Sequence, residues 1–356
     1  MGVDAIHARY AAPAATGRLP GLTRVRVLLI GWVLVYHLEL ALHALGGAGV
    51  FELVALRGYL GVDGFFLLSG FALVVGYAHR PPQGLQGWLG FMRDRLVRIL
   101  PLHLVLLAAL VLMVGAAAAA GVAVNNPERF GLRELALQAV LLHGWETTTE
   151  HAWNYPSWAL SAILAGYIAF PLLLAALAHL ARGATWAVLG AAFLALAYLG
   201  SVNPWLGLNH TLHLGLLRFA LEFIAGMALA RLVVARALPR PVATAGLVLV
   251  PIGLATGADV LVVAGLAALV ARVALAPAQA AAPRDLLHRL GEASFGVYRT
   301  WVFVESGLVL LLRFADPGMA ARQMLMVVGL AATFLTGWLA WRLIEVPAAR
   351  LLARGR

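Results

Sequence analysis

Long apolar runs fill this chain and leave little sequence outside them. Apolar residues make up 62% of its 356 residues, and charged residues make up only 12%. A soluble domain is roughly half apolar and about one quarter charged. A globule of this length cannot bury such an excess of apolar side chains, so lipid must solvate much of it. The sequence therefore predicts an all-α, polytopic membrane protein.

About ten of the apolar runs are long enough to cross a bilayer, since about 20 helical residues suffice. The predicted spans are 27–45, 59–78, 101–121, 157–179, 184–202, 211–232, 241–257, 259–277, 294–312 and 324–344. We expect a single membrane domain over 21–349, with short tails at 1–20 and 350–356. The first 20 residues are polar and do not have the form of a secretion signal.

The arginines are concentrated in alternate segments between the predicted spans. If the N-terminus is inside, the cytoplasmic segments include 80–98, 231–240 and 350–356, and the opposite side holds only Arg57, Arg129, Arg133, Arg313 and Arg322. Basic residues favour the cytoplasmic side, so both termini are predicted to be cytoplasmic in an inner or plasma membrane. The same bias accounts for the net charge of +10, and nucleic acid is not an expected partner.

The longest segment between spans, 122–156, is predicted to lie on the outer side. Loops of this length are often functional, but a connector with one short amphipathic helix near 131–143 fits equally well. The chain has no cysteine, which excludes disulfides and thiolate metal sites. Its histidines are scattered, and the close pair His210 and His213 lacks other ligands, so no metal site is predicted.

Ionisable residues inside the predicted spans are the candidates for chemistry, because each is unfavourable in lipid unless a cavity or a partner meets it. Arg26 and His37 are eleven residues apart, so they share a helix face about 16 Å apart along the axis. A neutral imidazole can act as a general base, and an arginine suits a phosphate-bearing ligand. The same spacing would arise if Arg26 only anchored the topology and His37 were only a hydrogen-bonded packing residue.

Three further groups of polar residues accompany this pair. Asp63 begins the second span, where Ser69 and Gly70 permit close helix packing. Arg95 and Arg98 share a helix face just before Pro101, which is expected to start the third span; they predict either an anion site or a topology anchor. Arg218 and Glu222 form an i,i+4 pair that indicates a structural ion pair, whereas Arg299 needs a carboxylate or a cavity.

These pieces together resemble the acyltransferase 3 family, the bacterial membrane acyltransferases that modify glycoconjugates. The resemblance runs from about residue 20 to about residue 350. Its motifs follow in the family's order: Arg26 with ten residues to His37; Gly61-Val62-Asp63, Phe65-Phe66 and Ser69-Gly70-Phe71; Arg95, Arg98-Ile99 and Pro101; Asn154, Pro156-Ser157-Trp158 and Leu160-Ser161; Arg218, Glu222-Phe223 and Gly226; Leu290-Gly291, Ser294-Phe295 and Tyr298; Ile344-Glu345 and Pro347.

The resemblance implies ten core helices and an enzyme that uses acyl-CoA offered from the cytoplasm. Acyl-CoA is then a co-substrate, and no tightly bound cofactor is expected. The acyl group is expected to be acetyl, and the acceptor a hydroxyl of a carbohydrate or glycolipid reached from the membrane or the outer side. By the resemblance, His37 activates that hydroxyl, and Arg26, Arg95 and Arg98 hold the phosphates of coenzyme A. Asp63 orients His37 or lines the acceptor site.

Two positions depart from the family pattern. Ile163 stands where the family usually has a glutamate, and Trp301 stands where it usually has the histidine of Tyr-x-x-His. The chain is then an active enzyme with a shifted acceptor site or an impaired relative. Buried charges in ten helices also suit a transporter or flippase, but internal repeats and helices broken near mid-membrane, which are common in transporters, are not evident.

Overall fold

The computed structural model describes residues 20–122, 126–276 and 285–353, and these residues fold as helices joined by turns. The predicted tail at 1–20 lies outside them except for Pro20, as do residues 354–356 of the other tail. The helices are α1 (Pro20–Leu42), α2 (Val50–Leu56), α3 (Leu60–Tyr77), α4 (Gly84–Ala119), α5 (Leu132–Ala139), α6 (Trp158–His179), α7 (Arg182–Val202), α8 (Gly215–Val234), α9 (Arg240–Ala245), α10 (Leu249–Thr256), α11 (Asp259–Ala274), α12 (Leu286–Phe314), α13 (Met319–Ala340) and α14 (Val346–Ala353).

Seven helical stretches among these residues are long and apolar enough to cross a membrane. They begin at Pro20, Leu60, Gly84, Tyr155, Arg182, Leu286 and Met319. The other three predicted spans correspond to α8, to the run from α9 to α10, and to α11. The chain is therefore an all-α, polytopic membrane protein, as the composition predicted. The count of ten spans and the cytoplasmic termini stay predictions.

Pro101 was expected to be the first residue of the helix that forms the third span, and that helix start is wrong; where the span itself begins stays a prediction. Pro101 lies inside α4, a helix of 36 residues that begins at Gly84. A proline there leaves the carbonyl of Val97 without its helical donor, but the rest of so long a helix can absorb one missing hydrogen bond. As a consequence, Arg95 and Arg98 are carried by the same helix as the apolar span that follows them.

Helices α3 and α8 cross closely in the core, and two glycines make this possible. A Cβ atom at Gly70 would collide with the carbonyl oxygen of Phe223, and one at Gly226 would collide with that of Leu67. Small residues of this kind let helix backbones touch in membrane proteins. The crossing sets the distance between the helices that carry Asp63 and Arg218.

Residues 126–157, which precede α6, fold as a cap with its own buried polar contacts. It contains α5, which lies where the sequence placed a short amphipathic helix. The buried hydroxyl of Ser157 lies 3.0 Å from Nε2 of His143 and donates to the carbonyl oxygen of Asn154 at 2.7 Å. Burial lowers the pKa of His143 to about 3, so this histidine is neutral at physiological pH. The cap positions His151 and Tyr155 beside the helix bundle.

Candidate active site

Three arginines meet at a cavity on the side of the molecule where α1 begins. Two adjoining spaces of about 430 Å³ and 110 Å³ share Arg26 from α1 and Arg95 and Arg98 from α4. We call these two spaces together the arginine cavity. The fold thus brings together residues from α1 and α4, which sequence spacing alone could not place side by side.

The arginine cavity has an excess of positive charge. Within the described residues, none of its three arginines forms an ion pair, and Glu292 is the only acidic residue that lines it. The guanidinium of Arg95 lies 5.5 Å from the ring centroid of Tyr77, and its Nε is buried without a hydrogen-bond partner. Guanidinium groups left without carboxylates in a cavity are suited to bind an anion such as a phosphate.

His37 lines a second cavity of about 170 Å³, which we call the His37 cavity. Its walls come from α1, α3, α6, α8, α12 and the connecting segments before α3, α6 and α8. Aromatic and neutral polar side chains predominate, and no carboxylate appears among the described lining residues, which are Tyr36, His37, Tyr59, Val62, His151, Tyr155, Pro156, Trp158, Asn209, Thr211, Arg218, Tyr298 and Trp301. Such walls suit an uncharged, ring-shaped molecule better than a cation.

The imidazole of His37 is held by aromatic rings. It stacks on the indole of Trp301, with 3.7 Å between ring centroids and 24° between planes. The ring of Tyr36 meets it edge-on at 5.0 Å. No hydrogen bond joins His37 to another described residue. Its ring nitrogens are therefore left for a molecule in the cavity.

The two cavities adjoin at Val62 and Tyr298, which line both of them. Val62 belongs to α3 and Tyr298 to α12, so the boundary lies between these helices. Both side chains are nearly buried. A ligand that occupied both cavities would contact this boundary.

Asp63 lies in a buried ion cluster with Arg218 and Glu222. Nε of Arg218 donates to Oδ1 of Asp63 at 3.0 Å, and an Nη of the same guanidinium contacts Oδ2. Glu222 is farther away, with 3.8 Å between its Oε1 and Nε of Arg218. Arg218 also donates to the carbonyl oxygen of His210. Among the described residues no hydrogen bond joins Asp63 to His37; Asp63 instead bonds Arg218, which lines the His37 cavity.

The connecting segments before α6 and α8 contribute polar groups that the sequence did not single out. Nε2 of His151 lies 3.0 Å from Oγ1 of Thr211, and Nδ2 of Asn209 donates to the hydroxyl of Tyr36 at 3.1 Å. Burial, helped by the positive charge of Arg129, lowers the pKa of His151. These contacts join segments far apart in the chain, so neither spacing nor periodicity could have revealed them.

The two departures from the family pattern lie in different cavities. Ile163 lines the arginine cavity, and Trp301 lines the His37 cavity. Arg299, the charge that the sequence left without a partner, contacts the carboxylate of Glu345 and donates to the carbonyl oxygen of Ile99 at 2.9 Å. It joins α12 to α4 and to the π-helical turn Trp341–Glu345, which is a structural role.

Comparison with known proteins gives the chain its family. The acyltransferase domain of the acyltransferase 3 family matches residues 19–342, which is most of the chain. No curated protein and no solved structure shows a significant match. A domain match of this extent, over a helical membrane fold with adjoining basic and histidine-bearing cavities, shows that the chain belongs to the acyltransferase 3 family and is a membrane acyltransferase for groups other than amino-acyl groups.

Proposed function

We propose that this enzyme transfers an acyl group, with acetyl as the expected one, from acyl-CoA to a hydroxyl of a carbohydrate or glycolipid. The arginine cavity binds the phosphates of coenzyme A, and the His37 cavity binds the acceptor. The observation that carries the proposal is the adjacency of the two cavities at Val62 and Tyr298. A donor anchored by its phosphates can extend its thioester arm through this boundary to the imidazole.

The reaction follows from the position of His37. The acceptor oxygen attacks the thioester carbon while His37 takes the hydroxyl proton, so a C–O bond forms and the carbonyl electron pair moves onto oxygen. The tetrahedral intermediate then re-forms the carbonyl and breaks the C–S bond. The leaving thiolate takes the proton back from His37, which releases coenzyme A and the ester. His37 and the acyl donor therefore suffice as base and electrophile.

The remaining site residues have positioning roles in this proposal. Asp63 and Glu222 hold Arg218 at the wall of the His37 cavity, as a structural ion cluster. Arg26, at one end of α1, and His37, near the other, fix the two ends of the donor's path. The arginine cavity faces the cytoplasm in the topology that the arginine bias predicts, where acyl-CoA is available.

The test is turnover of radiolabelled acetyl-CoA by the purified protein in nanodiscs, with coenzyme A binding measured in parallel. Label transferred to an added glycolipid fraction, or slow hydrolysis of the donor by water, would support the proposal. Saturable binding of coenzyme A without turnover of any acyl donor would favour a non-catalytic relative. Absence of both binding and turnover would remove the donor assignment and favour a transport role.

Arg98→Gln is expected to weaken coenzyme A binding about 10- to 100-fold, because one charge-assisted hydrogen bond contributes about 1.5–3 kcal/mol. The loss should shrink as salt is raised, since salt screens the attraction. Isothermal titration at low and high salt measures both effects. Arg182→Gln changes an exposed arginine at the start of α7 and should bind normally. Equal affinity of the Arg98 and Arg182 variants would contradict the phosphate assignment.

Val62→Trp is expected to separate donor binding from turnover. A bulky ring at the boundary of the two cavities should block the thioester arm and lower acyl transfer at least 100-fold, by displacing it from the near-attack position. Coenzyme A itself should still bind, because the arginines are untouched. Leu28→Trp, at an exposed position of α1, serves as the control and should leave both properties unchanged. Transfer at the parent rate in Val62→Trp would mean that the donor takes another path.

A further inference from the structure

The indole N–H of Trp301 is a hydrogen-bond donor with no acceptor among the described residues. Its side chain is only 3% exposed, and its Nε1 has no hydrogen-bond partner among the described residues. A buried donor left unpaired costs about 1–3 kcal/mol, so such groups usually have a ligand or another partner. Because the indole lines the His37 cavity, a molecule bound in that cavity is a candidate acceptor for this N–H.

The position of this donor relative to His37 restricts what it can bind. The indole and the imidazole are stacked with their centroids 3.7 Å apart. A hydroxyl activated by His37 must lie within about 3 Å of a ring nitrogen, and the carbon it attacks lies about 3–3.5 Å farther on. The reacting carbonyl is therefore placed beside the same pair of rings.

The chemistry of the indole restricts the partner further. An indole N–H donates and cannot accept, so it requires an oxygen with a free lone pair. Two other donors at the cavity wall are already committed: Arg218 is bonded to Asp63 and to the carbonyl of His210, and Asn209 donates to Tyr36. A histidine at position 301 could also donate.

We propose that the Nε1–H of Trp301 stabilises the oxyanion that forms on the thioester carbonyl during acyl transfer. The inference rests on the proposed function and assigns Trp301 as a catalytic residue of that reaction. When the C–O bond forms, the carbonyl electron pair becomes a negative charge on oxygen, and the buried N–H donates to it. A preoriented donor in a site with little water favours the transition state over the ground state, which raises the rate constant rather than the affinity.

The experiment compares Trp301→Phe and Trp301→His with the parent protein in nanodiscs. Single-turnover hydrolysis of acetyl-CoA by water is measured at saturating donor, so the identity of the acceptor does not enter. Trp301→Phe keeps an aromatic ring on His37 but removes the donor, and it should lower the rate constant about 10²- to 10³-fold. Its affinity for coenzyme A and its melting temperature should remain unchanged. Trp301→His should recover at least part of the lost rate.

Trp145→Phe is the matched control, because it removes an indole N–H that already donates to the carbonyl oxygen of Ser161 at 2.9 Å. It should lower the melting temperature without changing the rate constant. The proposal is overturned by a parent-like rate in Trp301→Phe, by a rate in Trp301→His no higher than in Trp301→Phe, or by a loss explained by weaker folding or donor binding. A parent protein without turnover would overturn the proposed function as well, whereas an active parent with an active Trp301→Phe would remove this inference alone.

Discussion

His37→Ala lowers acyl transfer from acetyl-CoA by a factor of about 10² to 10⁴, the range that a positioned general base contributes. The affinity for coenzyme A stays the same, because the phosphates bind about 16 Å away along α1 if the donor lies as proposed. The measurement is the transfer rate at saturating donor together with the dissociation constant of coenzyme A. A change in the rate constant without a change in affinity is the signature of a group that acts on the transition state.

His179→Ala is the control for this prediction. His179 lies at the exposed end of α6, and its loss should leave the rate and the affinity at parent values. His179→Ala should melt at the parent temperature, and His37→Ala should melt somewhat lower, because its imidazole loses the stack on Trp301. If folded His37→Ala protein retained full transfer activity, the base would have to be sought elsewhere in the cavity.

Arg218→Met is expected to be the most destabilising substitution. Removal of one partner from a buried ion pair costs about 3–5 kcal/mol, because the other charge is left buried without compensation. Here two carboxylates, those of Asp63 and Glu222, would remain together in the core. We expect the variant to yield little folded protein in detergent, and to melt well below the parent temperature where it can be purified.

The buried ion cluster of Asp63, Arg218 and Glu222 predicts that stability lost in Arg218→Met is partly regained when all three charges are removed. The effects of the three substitutions on the melting temperature are then not additive. Replacement of all three groups, as Asp63→Asn, Arg218→Met and Glu222→Gln in one chain, should be more stable than Arg218→Met alone, because no buried charge is left over. Arg133→Met is the exposed control: its partner Glu134 lies 3.1 Å away at the surface, and a change below about 1 kcal/mol is expected. If the triple variant melted no higher than Arg218→Met, charge would not be the cause of the instability.

The apolar runs determined the fold class by themselves, because a chain so poor in charge has no soluble alternative. The sequence spacing also indicates that Arg26 and His37 share a helix face, because this depends only on the rise and twist within one helix. The i,i+4 relation of Arg218 and Glu222 is local in the same way. Helix ends were less certain: the sequence could not show that α4 continues through Pro101, because packing along its whole length compensates one missing bond.

Only the tertiary structure decided which polar groups meet. By the resemblance Asp63 would orient His37 or line the acceptor site, but the close crossing of α3 and α8 places its carboxylate on Arg218, more than a hundred positions later in the chain. The stack of Trp301 on His37 likewise joins α12 to α1. The sequence determined the chemistry that each helix carries, because side-chain type and helical period are local properties. Helix packing determined the partners, because a buried charge or donor is satisfied by whichever element lies against it in space.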